Sequence, residues 1–210
     1  MLLRPLLAIE TSGSSLGVAL RTEQGVSFER NVTAGAIHGR ALAPLIDECL
    51  RGQNLSVADL EAVAVSVGPG SWTGLRIGIT AAKTLAWSAG VGLVAVPSFE
   101  ALALQALAAV GSPTPVVTLR NARSEGFFAA VFSETSGTLE RWMSECVIPG
   151  DRVIADVEAL LAQRASTSAA FCGDGVCMDA IADAAIKRGW IVLREVEHIS
   201  ARILAEAGWR

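Results

Sequence analysis

The residues with the clearest chemical potential form one run, Gly68-Pro69-Gly70-Ser71-Trp72-Thr73-Gly74-Leu75-Arg76. Its glycines free the backbone, a helix opening at its end presents amide N–H groups and a positive dipole, and Arg76 adds a guanidinium, so it has the ingredients of an anion site. It lacks the lysine of GxxxxGK and is not GxGxxG, so neither nucleotide fingerprint applies. Gly-x-Ser-x-Gly is not present around Ser71 either, which argues against a hydrolase nucleophile there. On local chemistry alone the plainer expectation is a sharp strand-to-helix turn that holds no ligand.

Past Ser71, small residues recur every four positions at Gly74, Gly78, Ala82 and Ala86 and therefore share one row of a helix. A glycine inside a helix costs about 1 kcal/mol relative to alanine, so Gly78 needs a packing reason. Either the protein's own sheet or a partner helix approaches along that row.

Other groups with chemical potential are scattered. Glu10-Thr11-Ser12 follows the first apolar run, and Gly173-Asp174-Gly175 follows a short apolar run at Ala169 to Cys172. Of all these groups Gly68, Gly70 and Ser71 are, on local chemistry, the candidates for contact with an anion. His38 lies in Ile37-His38-Gly39-Arg40, where hydrogen bonding at a helix entry is expected of it. Trp72 reads as an anchor at a surface rather than a base-stacking platform, because no basic patch surrounds it. Cys49, Cys146, Cys172 and Cys177 form no CxxC pair and, with two histidines, no zinc-type spacing. Four reduced, mostly buried thiols and no metal are expected.

Composition narrows the classes. The 210 residues are 51% hydrophobic and 18% charged, enough to bury a substantial core, and the formal net charge is −4. Basic residues are spread singly, so binding to nucleic acid by this chain alone is disfavoured. The stretch from Leu2 to Ile9 lacks a signal-peptide cleavage pattern, and the stretch from Ala101 to Val110 is well short of the roughly 20 residues of a membrane span. A cytoplasmic protein without membrane attachment is expected.

These groups must be positioned by alternating elements. Strands are expected at Leu6 to Ala8, Leu16 to Leu20 and Gly25 to Arg30, then a helix over Ala41 to Gln53 with Pro44 near its first turn. A buried strand at Glu61 to Val67, a helix from about Thr73 to Ala89 closed by Gly90, and a strand at Leu93 to Val96 form a parallel crossover unit. Ser98 caps a helix through Val110, and Gly111-Ser112-Pro113-Thr114-Pro115 is the best linker candidate. A second cycle follows: strands at Val116 to Leu119, Phe127 to Phe132 and Leu139 to Trp142, a helix at Val153 to Gln163, and a strand at Ala169 to Cys172. It ends with a helix at Val176 to Arg188, a strand at Ile191 to Leu193 and a helix at Ile199 to Ala207. Two successive cycles suggest a duplicated α/β fold, although the halves are not visibly similar in sequence.

The order Leu7-Ala8-Ile9-Glu10-Thr11-Ser12, His38, Pro44-Leu45-Ile46-Asp47-Glu48, the run from Gly68 to Gly78, and Val94-Ala95-Val96-Pro97-Ser98 closely resembles the TsaB (YeaZ) family. The match covers about the first half in register, and its Gly-Pro-Gly-Ser run is highly specific. The resemblance implies an actin-like ATPase (ASKHA) α/β fold: two RNase-H-like domains with mixed sheets flanked by helices. Residues 1–97 would form the first, joined by the C-terminal helix 198–210, and residues 98–197 the second. It implies a non-catalytic scaffold subunit for threonylcarbamoyladenosine formation in tRNA, a pseudo-enzyme that pairs with the catalytic paralogue TsaD, works with the ATPase TsaE, and is a homodimer in isolation. tRNA would be met only through the complex, and ATP or ADP only at the partner interface, with no cofactor on this chain. That interface would use the helices at 41–53 and 73–89, through Leu42, Leu45, Ile46, Cys49, Trp72, Gly74, Arg76, Gly78, Ala82 and Ala86.

The departures from the pattern are informative. Where TsaD carries a His-x-x-x-His metal pair, this chain has Ser98-Phe99-Glu100-Ala101-Leu102, and Glu100 alone is a poor transition-metal site. Glu10-Thr11-Ser12 stands at the superfamily's first phosphate segment without its glycine, and Gly173-Asp174-Gly175 loosely resembles the second. The resemblance therefore implies that Glu10, Thr11, Ser12, Gly173 and Asp174, with Gly68, Gly70 and Ser71, are the candidates for weak contact with a nucleotide or another anion, and ATP turnover is not expected. Asn121-Ala122-Arg123-Ser124-Glu125-Gly126-Phe127-Phe128 stands where relatives have Asp-Ala-Arg and Gly-Glu-Val-Tyr, losing an acid and a tyrosine. The alternative from another class is an ATPase or small-molecule kinase of the same fold acting alone. A protease of the same superfamily is disfavoured by the missing His pair.

Overall fold

The structure, a computed structural model, describes residues 4–33, 38–111 and 113–209. The chain divides into two compact units, Met1–Ala101 with Ile199–Arg210, and Leu102–His198.

In the first unit, strands β1 (Leu6–Glu10), β2 (Ser15–Thr22) and β3 (Gly25–Thr33) form an antiparallel meander. Helix α1 (His38–Gly52) and β4 (Ala62–Ser66) follow, then α2 (Trp72–Ala89) and β5 (Gly92–Val96). The sheet order is β3-β2-β1-β4-β5, with β1, β4 and β5 parallel, so their carboxyl ends share one edge. Leu7, Ile9, Val63 and Val65 pack in one core with Leu42, Ile46 and Cys49 of α1 and Ala82 of α2. This is period-2 burial on strands against period-3.6 burial on helices. Pro44 lies inside α1 rather than in its first turn, so the Arg40 carbonyl loses its helical N–H partner.

The other face is covered by the last helix of the chain, labelled below as α6, which begins near residue 200. The glycine of β2, Gly17, leaves the space that Ala201 fills. Two side chains of β3 then satisfy the helix's first amides: Ala201 N–H donates to Asn31 Oδ1 at 3.1 Å and Arg202 N–H to Glu29 Oε1 at 3.2 Å. At its far end Arg21 of β2 pairs with Glu206 at 2.8 Å and lies 4.2 Å from the Trp209 ring centroid.

Helix α3 (Ser98–Val110) contains the division between the units, at Ala101/Leu102. Gly111 to Pro115, expected to be the linker, instead joins α3 to the first strand of the second unit's sheet.

The second unit repeats the first. Its strands are β6 (Val116–Asn121), β7 (Phe127–Thr135), β8 (Thr138–Ile148), β9 (Ala170–Cys172) and β10 (Ile191–Val192), and its remaining helices are α4 (Val153–Gln163) and α5 (Asp179–Ile186). The chain closes with α6 (Ala201–Trp209). The order β10-β9-β6-β7-β8, with β6, β7 and β8 antiparallel and β6, β9 and β10 parallel, is the topology of the first sheet in mirror listing. The duplication is therefore real at the level of topology. Val153, Val157 and Leu161 of α4, four residues apart, close the core over Phe171, which stacks on Trp190 at 5.5 Å.

Two elements differ from expectation. Strand β8 runs to Ile148 rather than stopping near Trp142, because an edge strand exposed along most of its length carries Glu145, Ser144 and Cys146 without an apolar signal. The helix expected over Val176 to Arg188 is broken at Met178, whose backbone is extended, between a short 3-10 turn (Asp174–Cys177) and α5. Tertiary contacts impose the break. The Asp174 carboxylate accepts the Asn121 N–H at 2.8 Å, and a side chain on Gly175 would press on Leu119 and Phe127.

Candidate functional site

The Gly-rich run is held by the first unit itself. Gly68 has φ +108°, and its N–H donates to Ser98 Oγ at 3.1 Å while its carbonyl accepts the Ser98 N–H at 2.8 Å. Ser71 N–H donates to the Ser12 carbonyl at 2.7 Å, and Ser71 Oγ caps α2 by accepting from Gly74 N–H at 3.2 Å. The Glu10 carboxyl in turn accepts from both the N–H and the hydroxyl of Ser12, each at 2.5 Å, in a fully buried setting. Glu10, Thr11, Ser12, Gly68 and Ser71 are thus brought together, and the bonds of Glu10, Ser12, Gly68 and Ser71 named here stay within the unit. Gly70, half-buried, continues the same turn. Gly173 and Asp174 lie in the second unit, where Gly173 N–H donates to the Val196 carbonyl at 2.8 Å and Asp174 fixes Asn121.

Helix α2 stands on that turn. Gly74, Gly78, Ala82 and Ala86 are all buried. A Cβ at Gly74 would overlap the Thr11 carbonyl oxygen, and one at Gly78 would overlap Thr11 Oγ1. The row of small residues therefore seats the helix on its own sheet and is not a partner surface, contrary to expectation. Of the α1 residues proposed with it, Leu45 and Cys49 also belong to the interior. The thiol of Cys49 is pushed up to about 12 by burial and by the neighbouring Glu48 charge.

What α2 and α1 leave outside is a groove of about 780 Å³ between them. Its α1 wall is Gly39, Ala43 and Asp47 over Leu42, Ile46 and Leu50; its α2 wall is Thr73, Ile77, Thr80, Ala81, Thr84 and Leu85, with Arg76 at the rim. Leu42, Ile46 and Arg76 are the expected interface residues that reach it. Trp72, 74% exposed, stands on the outer face of α2 with the Arg76 guanidinium 6.0 Å from its ring centroid. Sequence reasoning missed Ala43 and the Thr73, Ile77, Thr80, Ala81 and Thr84 wall, together with Trp87, which is 87% exposed. Two small residues on α1 and a threonine-rich wall on α2 were the available signal, since both let a third helix come close.

The remaining candidates are structural. Ser98 and Leu102, at the positions where the resemblance places the His pair of TsaD, are both buried, the serine in the exchange with Gly68. The side chain of His38 lies outside the described residues; α1 begins there. Of the thiols, Cys49 and Cys172 are buried but Cys146 and Cys177 are exposed, so half rather than most of them are buried. Among the described residues no cluster of three His, Cys, Asp or Glu side chains could hold a metal, and no helix is long and apolar enough to cross a membrane.

Two units, each a three-strand meander extended by two parallel strands, have the topology of an actin-like ATPase α/β fold. A family model described as TsaD, tRNA N6-adenosine threonylcarbamoyltransferase, matches residues 32–207, and the chain belongs to that family. Within it the likeness runs to TsaB. The chain is 34% identical over 160 residues to the tRNA threonylcarbamoyladenosine biosynthesis protein TsaB of Bacillus subtilis, covering 76% of this chain and 66% of that protein. With TsaB of Haemophilus influenzae it is 31% identical over 129 residues, covering 61% and 54%. The matched stretch thus spans less than two thirds of either relative. The fold superposes on YeaZ from Pseudomonas aeruginosa with a TM-score of 0.79 at 23% identity, covering 99% of this chain and 92% of that one.

Proposed function

We propose that this chain is a non-catalytic partner subunit in the formation of threonylcarbamoyladenosine in tRNA, docking a TsaD-type catalytic subunit through the groove between α1 and α2. The observation that carries this reading is the groove: an open, mainly apolar channel of about 780 Å³, flanked by exposed Trp72 and Trp87. Soluble surfaces seldom leave such a patch unless something covers it. The non-catalytic assignment is supported by the segment at Ser98–Leu102, whose side chains serve the interior, and by the Gly-rich turn, several of whose polar groups bind its own chain. ATP or ADP, a TsaE-type ATPase and tRNA are then met through the assembled complex, and a pair of identical chains is the form adopted without the partner.

Reconstitution tests this. The chain and the TsaD-type protein of its own organism, mixed with tRNA, threonine, bicarbonate, ATP and the remaining pathway enzymes, should yield modified tRNA only when both are present. Modification without this chain, or ATP hydrolysis by this chain alone that is lost in Glu10→Ala, would overturn the proposal.

A further inference from the structure

The outer face of α2 carries cations and no acidic residue. None of its 18 residues is Asp or Glu, although the chain holds 21 of them. At 100° per residue, Trp72, Arg76, Lys83 and Trp87 fall within one sector about 60° wide, and 15 residues at 1.5 Å spread them over about 22 Å. The ridge is therefore two exposed indoles bracketing two cations along one side of the groove, which Arg76 itself lines. Among the described residues neither Arg76 nor Lys83 has an ion-pair partner. Across the groove the carboxylates of α1 are engaged: Asp47 with Arg51 at 2.7 Å and Glu48 with Arg30 at 3.8 Å.

From this we infer that the groove selects a foreign helix carrying carboxylates along the side that meets α2, and that Arg76 and Lys83 are the residues that discriminate against a second copy of this chain. The inference rests on the docking proposed above and adds the chemistry of the partner. A second copy on a two-fold axis with α2 against α2 would set Arg76 and Lys83 against their own images. With α2 against α1 it would offer only carboxylates already paired. An acidic amphipathic helix fills the apolar floor and neutralises the rim at once. Rim charges act chiefly on encounter and on partner choice, so the effect should be largest in the association rate and its salt dependence.

The test compares Arg76→Glu/Lys83→Glu with Ala43→Trp, which fills the groove without touching charge. Binding to the TsaD-type partner is measured by surface plasmon resonance from 50 to 500 mM salt, and self-association by sedimentation. The charge-reversed protein should bind the partner at least about tenfold more weakly at low salt, with the salt dependence flattened, while its self-association is undiminished. Restored binding on replacing partner Glu or Asp by Lys along the docking helix would identify the carboxylates. Partner affinity within twofold of the unmodified chain in the charge reversal, with binding lost in Ala43→Trp, overturns the charge assignment alone. Binding unaffected in both variants overturns the groove as the docking site. Weakened self-association in the charge reversal would make a second copy the preferred occupant and overturn the selectivity.

Discussion

Replacing Gly78 by alanine sets two physical effects against each other. Considered as a helix, α2 should gain about 1 kcal/mol, because alanine restricts the unfolded chain and favours the helical backbone. Considered in place, the new methyl would overlap Thr11 Oγ1 and lie 3.3 Å from Thr11 Cβ, against a side chain that is fully buried. Overpacking of this kind costs about 1–3 kcal/mol, so after the helical gain the net effect should be a loss of up to about 2 kcal/mol. For a chain of this size that corresponds to a Tm lowered by up to roughly 8 °C. Thr11→Ala supplies the internal control. Among the described residues Thr11 Oγ1 has no hydrogen-bond partner, so its removal strands no group, and the main loss is one buried methyl worth about 1 kcal/mol. In Gly78→Ala/Thr11→Ala the new methyl enters the space left behind, and the double variant should be more stable than the two single losses predict by at least about 1 kcal/mol. Gly74→Ala should show no such rescue, because the atom in its way is the Thr11 carbonyl oxygen, which every residue carries. Urea and thermal denaturation of the four proteins measure this directly. A Tm raised by Gly78→Ala, or additive losses in the double variant, would refute the seating of α2 on the Glu10–Ser12 turn.

Three further outcomes are expected. Asn31→Ala removes the acceptor for the first amide of α6 and should cost about 1 kcal/mol, read as a Tm lower by about 2–4 °C. In the native state Cys146 and Cys177 should react with a thiol reagent and Cys49 and Cys172 only after unfolding. Burial raises the first two above 9.0, so at pH 8 they should react more slowly than free cysteine and accelerate as the pH rises past that value. Cys49 also sets an alkaline limit. Its thiol stays neutral up to about 12 when folded but ionises near 9.0 when unfolded, so its contribution is complete below pH 9 and declines as the pH climbs through that window; Cys49→Ala should flatten the decline.

Much of the fold was legible because its signals are local. Ser71 before an apolar helix, Gly90 after it, and alternating apolar runs around polar turns mark element ends through capping and backbone freedom, and the observed α2 starts and stops within a residue of those marks. Strand β8 and the break at Met178 were not legible. One is an edge whose polar residues meet solvent, and the other is imposed by Asp174 reaching Asn121, 53 residues away. The chain's own letters determined that α2 has a row of small residues and that Trp72 and Arg76 begin it. They did not determine which way the row faces. Glycine every fourth residue is the same pattern whether the close neighbour is a foreign helix or the protein's own backbone. Only folding, by placing Thr11 beneath Gly74 and Gly78, assigns that row to the interior and turns Thr73, Ile77, Thr80 and Ala81 toward the groove.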